Sequence, residues 1–438
     1  MVPAGRATAH ARPDGTISAV IRDTARHAGE DGQETMAETL IAARRIVPAS
    51  GSTGVLSPGY VRLAGDRIAD VGAGPPPRAP DVELSEGLLV PGFVDLQVNG
   101  YFGVDMAEAG PAGWAKVVRR LPETGTTAFL PTFITAPVPA LAAALRGAAR
   151  LLPELPRGAR VLGVHVEGPF ISPARKGAHD ENWIIRPSAE AVGELVAAGT
   201  GVLRLLTLAP ERDGAAAAIT TLAEAGVLVS VGHSDATARQ VSAAAAAGAR
   251  MVTHLFNAQR PMRHREPGVV GQALSDPLLT SGLIADLHHV AAQVCTIAFA
   301  AAPGRICIVT DAAACAGMPP GRYTLGGRPI ELPPGEGVPP VRPDGVLAGS
   351  ALRMDAGVAN MVTAGIGLPE AVAAATRVPA DLIGRPDLGR IAPGAMADLA
   401  WLGADMRARL TWVGGELIHQ ADTEREVVTA WANARRRT

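Results

Sequence analysis

From residue 92 onward, short apolar runs alternate with Ala-rich segments of helical length. The apolar runs are residues 92–98, 126–133, 160–166, 202–208, 227–231, 250–253, 281–286 and 305–310. Most are continuously apolar rather than strictly alternating, which is how strands read when both faces of a parallel sheet are covered. Helix-length segments lie between most of them, at 113–121, 139–152, 189–198, 214–225, 236–248 and 290–302. Strands joined by helical crossovers predict an α/β architecture, here a (β/α)8 TIM-type barrel with its active site where the strands end.

The flanks follow a different pattern. Residues 39–47, 60–63, 67–71 and 87–90 are short β-type runs broken by Gly, Ser and Pro turns, and 397–402, 408–412 and 416–419 return to the same pattern. Together they predict a small discontinuous β-sandwich. The expected organisation is a flexible extension over 1–36, the first part of the sandwich over 37–90, the barrel over 91–384, and the rest of the sandwich with a tail over 385–438. The Gly- and Pro-rich stretch 321–347 reads as a hairpin inserted after strand eight, followed by helices at 353–365 and 369–375.

Composition narrows the function. With 40 Lys and Arg against 42 Asp and Glu, the net charge of −2 provides no field to gather nucleic acid or an anionic membrane surface. No apolar run reaches the length of about 18 residues that a membrane span needs. The N-terminus carries His, Arg and Asp and lacks an apolar core of the secretory type. The three cysteines, Cys295, Cys307 and Cys315, show no CxxC spacing. They therefore suggest neither a disulfide framework nor a thiolate zinc site, and a cytoplasmic protein is expected.

The chemistry should lie at the carboxyl ends of the predicted strands, whose side chains converge on one mouth. Strand three ends in Gly-Val-His-Val-Glu with Glu167, strand five in Val-Gly-His-Ser with His233, and strand six in Thr-His-Leu-Phe-Asn with His254 and Asn257. Strand seven leads into Asp286-Leu-His-His289 and strand eight into Thr310-Asp311. Glu167, His233 and His254 make a one-oxygen, two-nitrogen donor set that leaves a coordination position of a divalent metal open, a catalytic rather than a structural arrangement. Asp311 is then placed to carry a proton between water and leaving group. His165, two residues before Glu167, shares its strand face and is either a rival ligand or a supporting residue.

These residues sit in motifs that resemble the N-acetylglucosamine-6-phosphate deacetylases of the amidohydrolase superfamily. The motifs are PGFVDLQVNG from Pro91, HVEGPF from His165, KGAH ending at His179, GHSDAT from Gly232, THLFNA from Thr253, REPG from Arg265, and the closing GRIAPGAMADL from Gly389. The resemblance spans about residues 39–420, with HVEGPF, KGAH and THLFNA the most specific. It implies removal of the acetyl group from an amino-sugar 6-phosphate, with Glu167, His233 and His254 as metal ligands and Asp311 as acid/base. It further implies substrate contacts at His179, Asn257, Ala258, Arg265 and His289, with His288 the alternative to His289, and a lining segment at Leu347, Ala348 and Gly349. A homodimer that shares the phosphate site across its interface is also implied. Other amidohydrolases, such as the cyclic amidases, carry a His-x-His pair on strand one, where this chain has Gln97 and Asn99. One metal ion per subunit is therefore expected, with zinc first and Fe2+, Co2+ or Mn2+ as alternatives, and Gln97 within reach of its water. N-acetylgalactosamine 6-phosphate as substrate and an inactive sugar-phosphate-binding homologue are the alternative readings.

Overall fold

The computed structural model describes residues 19–21, 38–50, 54–335 and 337–421. Eight strands form its centre: β1 (Phe93–Val98), β2 (Thr126–Ile134), β3 (Val164–Glu167), β4 (Leu203–Leu208), β5 (Leu228–Val231), β6 (Met251–Val252), β7 (Thr280–Ile284) and β8 (Ile306–Val309). Neighbours pair in parallel in chain order from β1 to β8. At the mouth the barrel is drawn together by backbone bonds from Asp311 N–H to the Gln97 carbonyl (2.9 Å) and from Asn99 N–H to that of Ala312 (2.8 Å). Lower in the same seam, the buried Asp95 carboxylate accepts the Thr310 hydroxyl at 2.6 Å and the Thr310 and Gln97 amides at 3.2 Å each.

All eight predicted strands are present. The third is broken, with Arg160–Val161 preceding Val164–Glu167. Between them Gly163 adopts φ +132°, and a Cβ there would meet the Val202 carbonyl at 2.5 Å, so the break requires glycine. Helices Pro111–Arg120, Val138–Leu151, Ala189–Ala198, Ala215–Glu224, Ala238–Ala247 and Ala292–Ala301 match the predicted crossovers to within a few residues. Two helices escaped the pattern. Gly268–Ser275 carries two glycines within its eight residues, and Arg377–Leu382 contains Pro379 at its third position, where the missing N–H has no intrahelical partner to lose.

Glu38–Ala43, Gly59–Ala64, Arg67–Ala73 and Val82–Leu84 form one small sheet. Leu88–Pro91 joins Leu399–Leu402, Ala408–Val413 and Glu416–Gln420 in a second. Ile41, Val61, Leu63 and Ile68 of the first pack with Leu399, Trp401, Leu410 and Trp412 of the second in one core, so the two chain ends make a single sandwich. The strand Val82–Leu84 was not foreseen, because three residues beside a Pro-rich stretch carry no period. The extension expected over 1–36 lies outside the described residues except for Ala19–Ile21, which pairs antiparallel with Val82–Leu84 as an edge strand. The expected hairpin runs from Gly321–Leu325 to Arg328–Leu332.

Trp401 is wholly buried between the two sheets, and its indole N–H donates to the Glu86 carbonyl at 2.9 Å. Trp401→Ala is expected to cost about 3–5 kcal/mol of stability, read as a lowered urea midpoint by circular dichroism. An unchanged midpoint would mean that the sandwich does not contribute to the main unfolding transition.

Candidate active site

Three strands deliver Glu167, His233 and His254 to the mouth, where one ligand atom from each lies within 4.8 Å of the others. His254 Nε2 is 3.0 Å from Glu167 Oε1 and 3.1 Å from His233 Nε2, and His233 Nε2 is 3.3 Å from the same carboxylate oxygen. Each imidazole is oriented through its other nitrogen. His233 Nδ1 donates to the Arg175 carbonyl at 2.8 Å, and His254 Nδ1 to that of Asn257 at 3.2 Å. In the neutral form both rings thus turn the Nε2 lone pair inward, the tautomer a metal ligand needs; burial would lower His254, but Glu167 and Asp311 raise it to about 9, so its Nε2 proton is the one a bound cation would replace. Burial, with His179 nearby, pushes His233 down to about 4, which favours the neutral ring. Burial alone would raise the Glu167 carboxyl, but the three histidines packed around it, His179, His233 and His254, outweigh it and hold it well below the usual range. This donor set fits a divalent ion.

Asp311 faces the cluster from the end of β8. Gln97 bridges the two carboxylates, its Nε2 donating to Glu167 Oε1 and Asp311 Oδ1 at 3.0 Å each, while Asn99 Nδ2 donates to Asp311 Oδ1 at 2.7 Å. Burial, then the Glu167 charge, raise the Asp311 carboxyl to about 6, a value suited to proton transfer near neutral pH. His233, His254 and Asp311 all have positive φ, at 46°, 29° and 52°. Non-glycine residues rarely adopt this conformation, and it persists where the surroundings enforce it.

His179 comes from the loop after β3. The Thr135 backbone N–H donates to its Nδ1 at 3.3 Å, so the neutral ring carries its proton on Nε2, which lies 3.7 Å from Glu167 Oε2. His179 thus offers a donor at the rim of the cluster.

The three donors, Asn99, Asp311 and His179 line a cavity of about 310 Å³ together with Asn257, Ala258, His289, Leu347 and Gly349. His289 faces it, its Nδ1 held by Asp286 at 2.6 Å, whereas His288 is not among its lining residues. One expectation is corrected. Ala348 is fully buried in a small core with Ile134, Cys315 and Leu325, because alternate residues of the extended segment point away from the cavity. Arg265 stands exposed on the loop after β6 and does not line the cavity of its own chain.

Sequence reading missed four contributors: Asp95, the Asn99 clamp on Asp311, Thr135 under His179, and Arg175, which lines the cavity and orients His233. Asp95, Gln97 and Asn99 did leave a signal. They are spaced by two in an otherwise apolar strand, which puts all three on one face.

A model of the amidohydrolase family matches residues 88–418. The chain is 37% identical over 356 residues to the N-acetylgalactosamine-6-phosphate deacetylase of Escherichia coli O157:H7, covering 80% of this chain and 93% of that protein. It is 38% identical over 358 residues to the N-acetylglucosamine-6-phosphate deacetylase of Homo sapiens, covering 77% and 85%. Among solved structures, N-acetyl-D-glucosamine-6-phosphate deacetylase from Mycobacterium smegmatis superposes with a TM-score of 0.82 at 35% identity, over 87% of this chain and 99% of that one. The Thermotoga maritima N-acetylglucosamine-6-phosphate deacetylase does so with 0.78 at 29% identity, over 87% and 100%. By family match, sequence identity and barrel architecture together, the chain belongs to the amidohydrolase family.

Proposed function

We propose that this protein is a metal-dependent deacetylase of N-acetylglucosamine 6-phosphate, releasing acetate and glucosamine 6-phosphate. The observation that carries the reading is the buried Glu167–His233–His254 donor set facing Asp311 across Gln97. That set would hold one divalent ion, zinc by its mixed oxygen and nitrogen donors, and the bound ion supplies Lewis acidity toward water and the amide carbonyl. Asp311, oriented by Asn99 and Gln97, takes a proton from the attacking water. The same carboxyl then returns it to the departing amine nitrogen as the C–N bond breaks. His179 donates its Nε2 proton toward the oxygen on which negative charge collects. Asn257, Ala258 and His289 line the sugar's side of the cavity. Three buried free cysteines and a phosphorylated substrate suit a cytoplasmic enzyme. Among the described residues, no helix is long and apolar enough to cross a membrane.

N-acetylgalactosamine 6-phosphate is the second reading, favoured by the 37% identity to the Escherichia coli deacetylase named for that sugar. Acetate release from both epimers, each with and without the 6-phosphate, separates the readings. The expected order places the phosphorylated gluco epimer first, and a preference for the galacto epimer would reassign the substrate. No acetate from any of the four would leave an inactive sugar-phosphate-binding protein.

Asp311→Asn preserves shape and removes the proton carrier. It is expected to lower kcat by about 10²- to 10⁴-fold, with the protein still holding one equivalent of metal by elemental analysis. A near-normal kcat would take Asp311 out of the reaction, and two equivalents of metal in the wild type, with activity tracking the second, would overturn the one-ion reading.

Arg265, exposed in its own chain, supports a homodimer in which this guanidinium clamps the phosphate in the partner's cavity, where its planar fork suits a phosphate. Arg265→Ala should then impair the phosphorylated substrate far more than its dephosphorylated analogue. Heterodimers of Arg265→Ala with Asp311→Asn subunits should recover one intact site. No recovery in purified heterodimers would confine each site to one chain.

A further inference from the structure

Below the ligands, the barrel interior holds a polar layer that the reaction does not use. The Val98 N–H donates to Thr132 Oγ1 at 3.0 Å, and Thr132 Oγ1 lies 3.3 Å from His165 Nδ1. His165 Nε2 meets Thr207 Oγ1 at 2.8 Å, Thr207 meets Thr253 Oγ1 at 2.7 Å, and Thr253 meets Ser230 Oγ at 2.6 Å. This chain of hydrogen bonds links β1 through β6, and every side chain in it is at most 1% exposed. Thr207 and Thr253 touch across β5 because Gly232 has no side chain. A Cβ there would lie 2.6 Å from Thr207 Cγ2 and 2.7 Å from Thr253 Cβ.

Barrel interiors are ordinarily filled by branched apolar residues, and Val or Leu would occupy this space without the desolvation cost of five polar side chains. What the polar layer adds is direction, since a fully bonded network admits few alternative arrangements. Its members sit directly beneath the site. His165 precedes Glu167 by two residues, Thr253 precedes His254 by one, and Ser230 precedes His233 by three. The backbone ladder is thinnest here. β6 has two residues and two registered pairs with each neighbour, while His233 and His254 keep backbone conformations that nothing local favours.

We propose that His165 is a positioning residue. Through Thr207 and Thr253 it locks the strand ends carrying Glu167 and His254 at ligand spacing, so that the donor set is preformed before metal arrives. The inference rests on the reading that Glu167, His233 and His254 hold the ion, and zinc is the probe. In chelator competition, His165→Leu and Thr207→Val are expected to bind zinc about 10- to 100-fold more weakly than wild type, as loss of a group that orients a ligand does. The rise in Tm on adding zinc should shrink in parallel. His165→Gln, which places an amide near the Nε2 position, should restore much of the affinity.

A purely structural role would lower the Tm of metal-free and zinc-loaded protein alike and leave zinc affinity unchanged. Wild-type zinc affinity in His165→Leu and Thr207→Val would overturn the proposal. If His165→Leu fails to fold, Thr207→Val carries the test alone, since it exchanges one hydroxyl for a methyl at nearly constant volume. Failure of the wild type to bind zinc would instead remove the ligand assignment, and the inference with it.

Discussion

One carboxylate and two imidazoles, carried on three strands, must meet within 4.8 Å while all three side chains are buried at the wall of the cavity. Most of the architecture around the mouth follows from that requirement. Glu167 and two histidines can share one cation only if the rings present lone pairs to it, so the Arg175 and Asn257 carbonyls take up their Nδ1 protons. A second carboxylate, Asp311, must also stand nearby without repelling the first. Gln97 reconciles the two by donating from one nitrogen to both, and Asn99 adds a second donor to Asp311.

The same requirement explains the seam. β8 supplies Asp311 and β1 supplies Gln97 and Asn99, so the join between first and last strand is also the join between Asp311 and the donor set. It is fastened by backbone bonds at the mouth and by Asp95 gripping Thr310 below. Among the described residues no cation faces Asp95, and burial raises its carboxyl to about 7. A buried acid of this kind persists because the hydrogen bonds it accepts fix the seam on which Asp311 depends.

Much of this was legible in the sequence because it is written in local periods. The apolar runs and Ala-rich spacers reveal the barrel, and polar residues that interrupt a strand's end reveal the mouth. Glu167, His233, His254 and Asp311 stand out for that reason. What stayed hidden depends on contacts between distant segments. Nothing local to Ala348 says that it faces a minor core while Leu347 and Gly349 face the cavity. The choice between His288 and His289 waited on Asp286 holding one ring. The placement of Arg265 outside its own cavity is a matter of loop direction, which carries no period at all. His165 could be read as a rival ligand until Thr132 and Thr207 were found on its two nitrogens.

The sandwich has a consequence for how the chain is made. Leu88–Pro91 pairs with Leu399–Leu402, and Trp401 and Trp412 complete a core begun by Ile41 and Val61. During synthesis the first sheet emerges early with one apolar face uncovered, and its covering strands leave the ribosome only after the whole barrel has been translated. Such long-range closure is slow and leaves sticky surface exposed while it waits. The nascent chain therefore passes through a stage in which the catalytic barrel can be assembled while its smaller companion remains open, and that interval is when chaperones have most to protect.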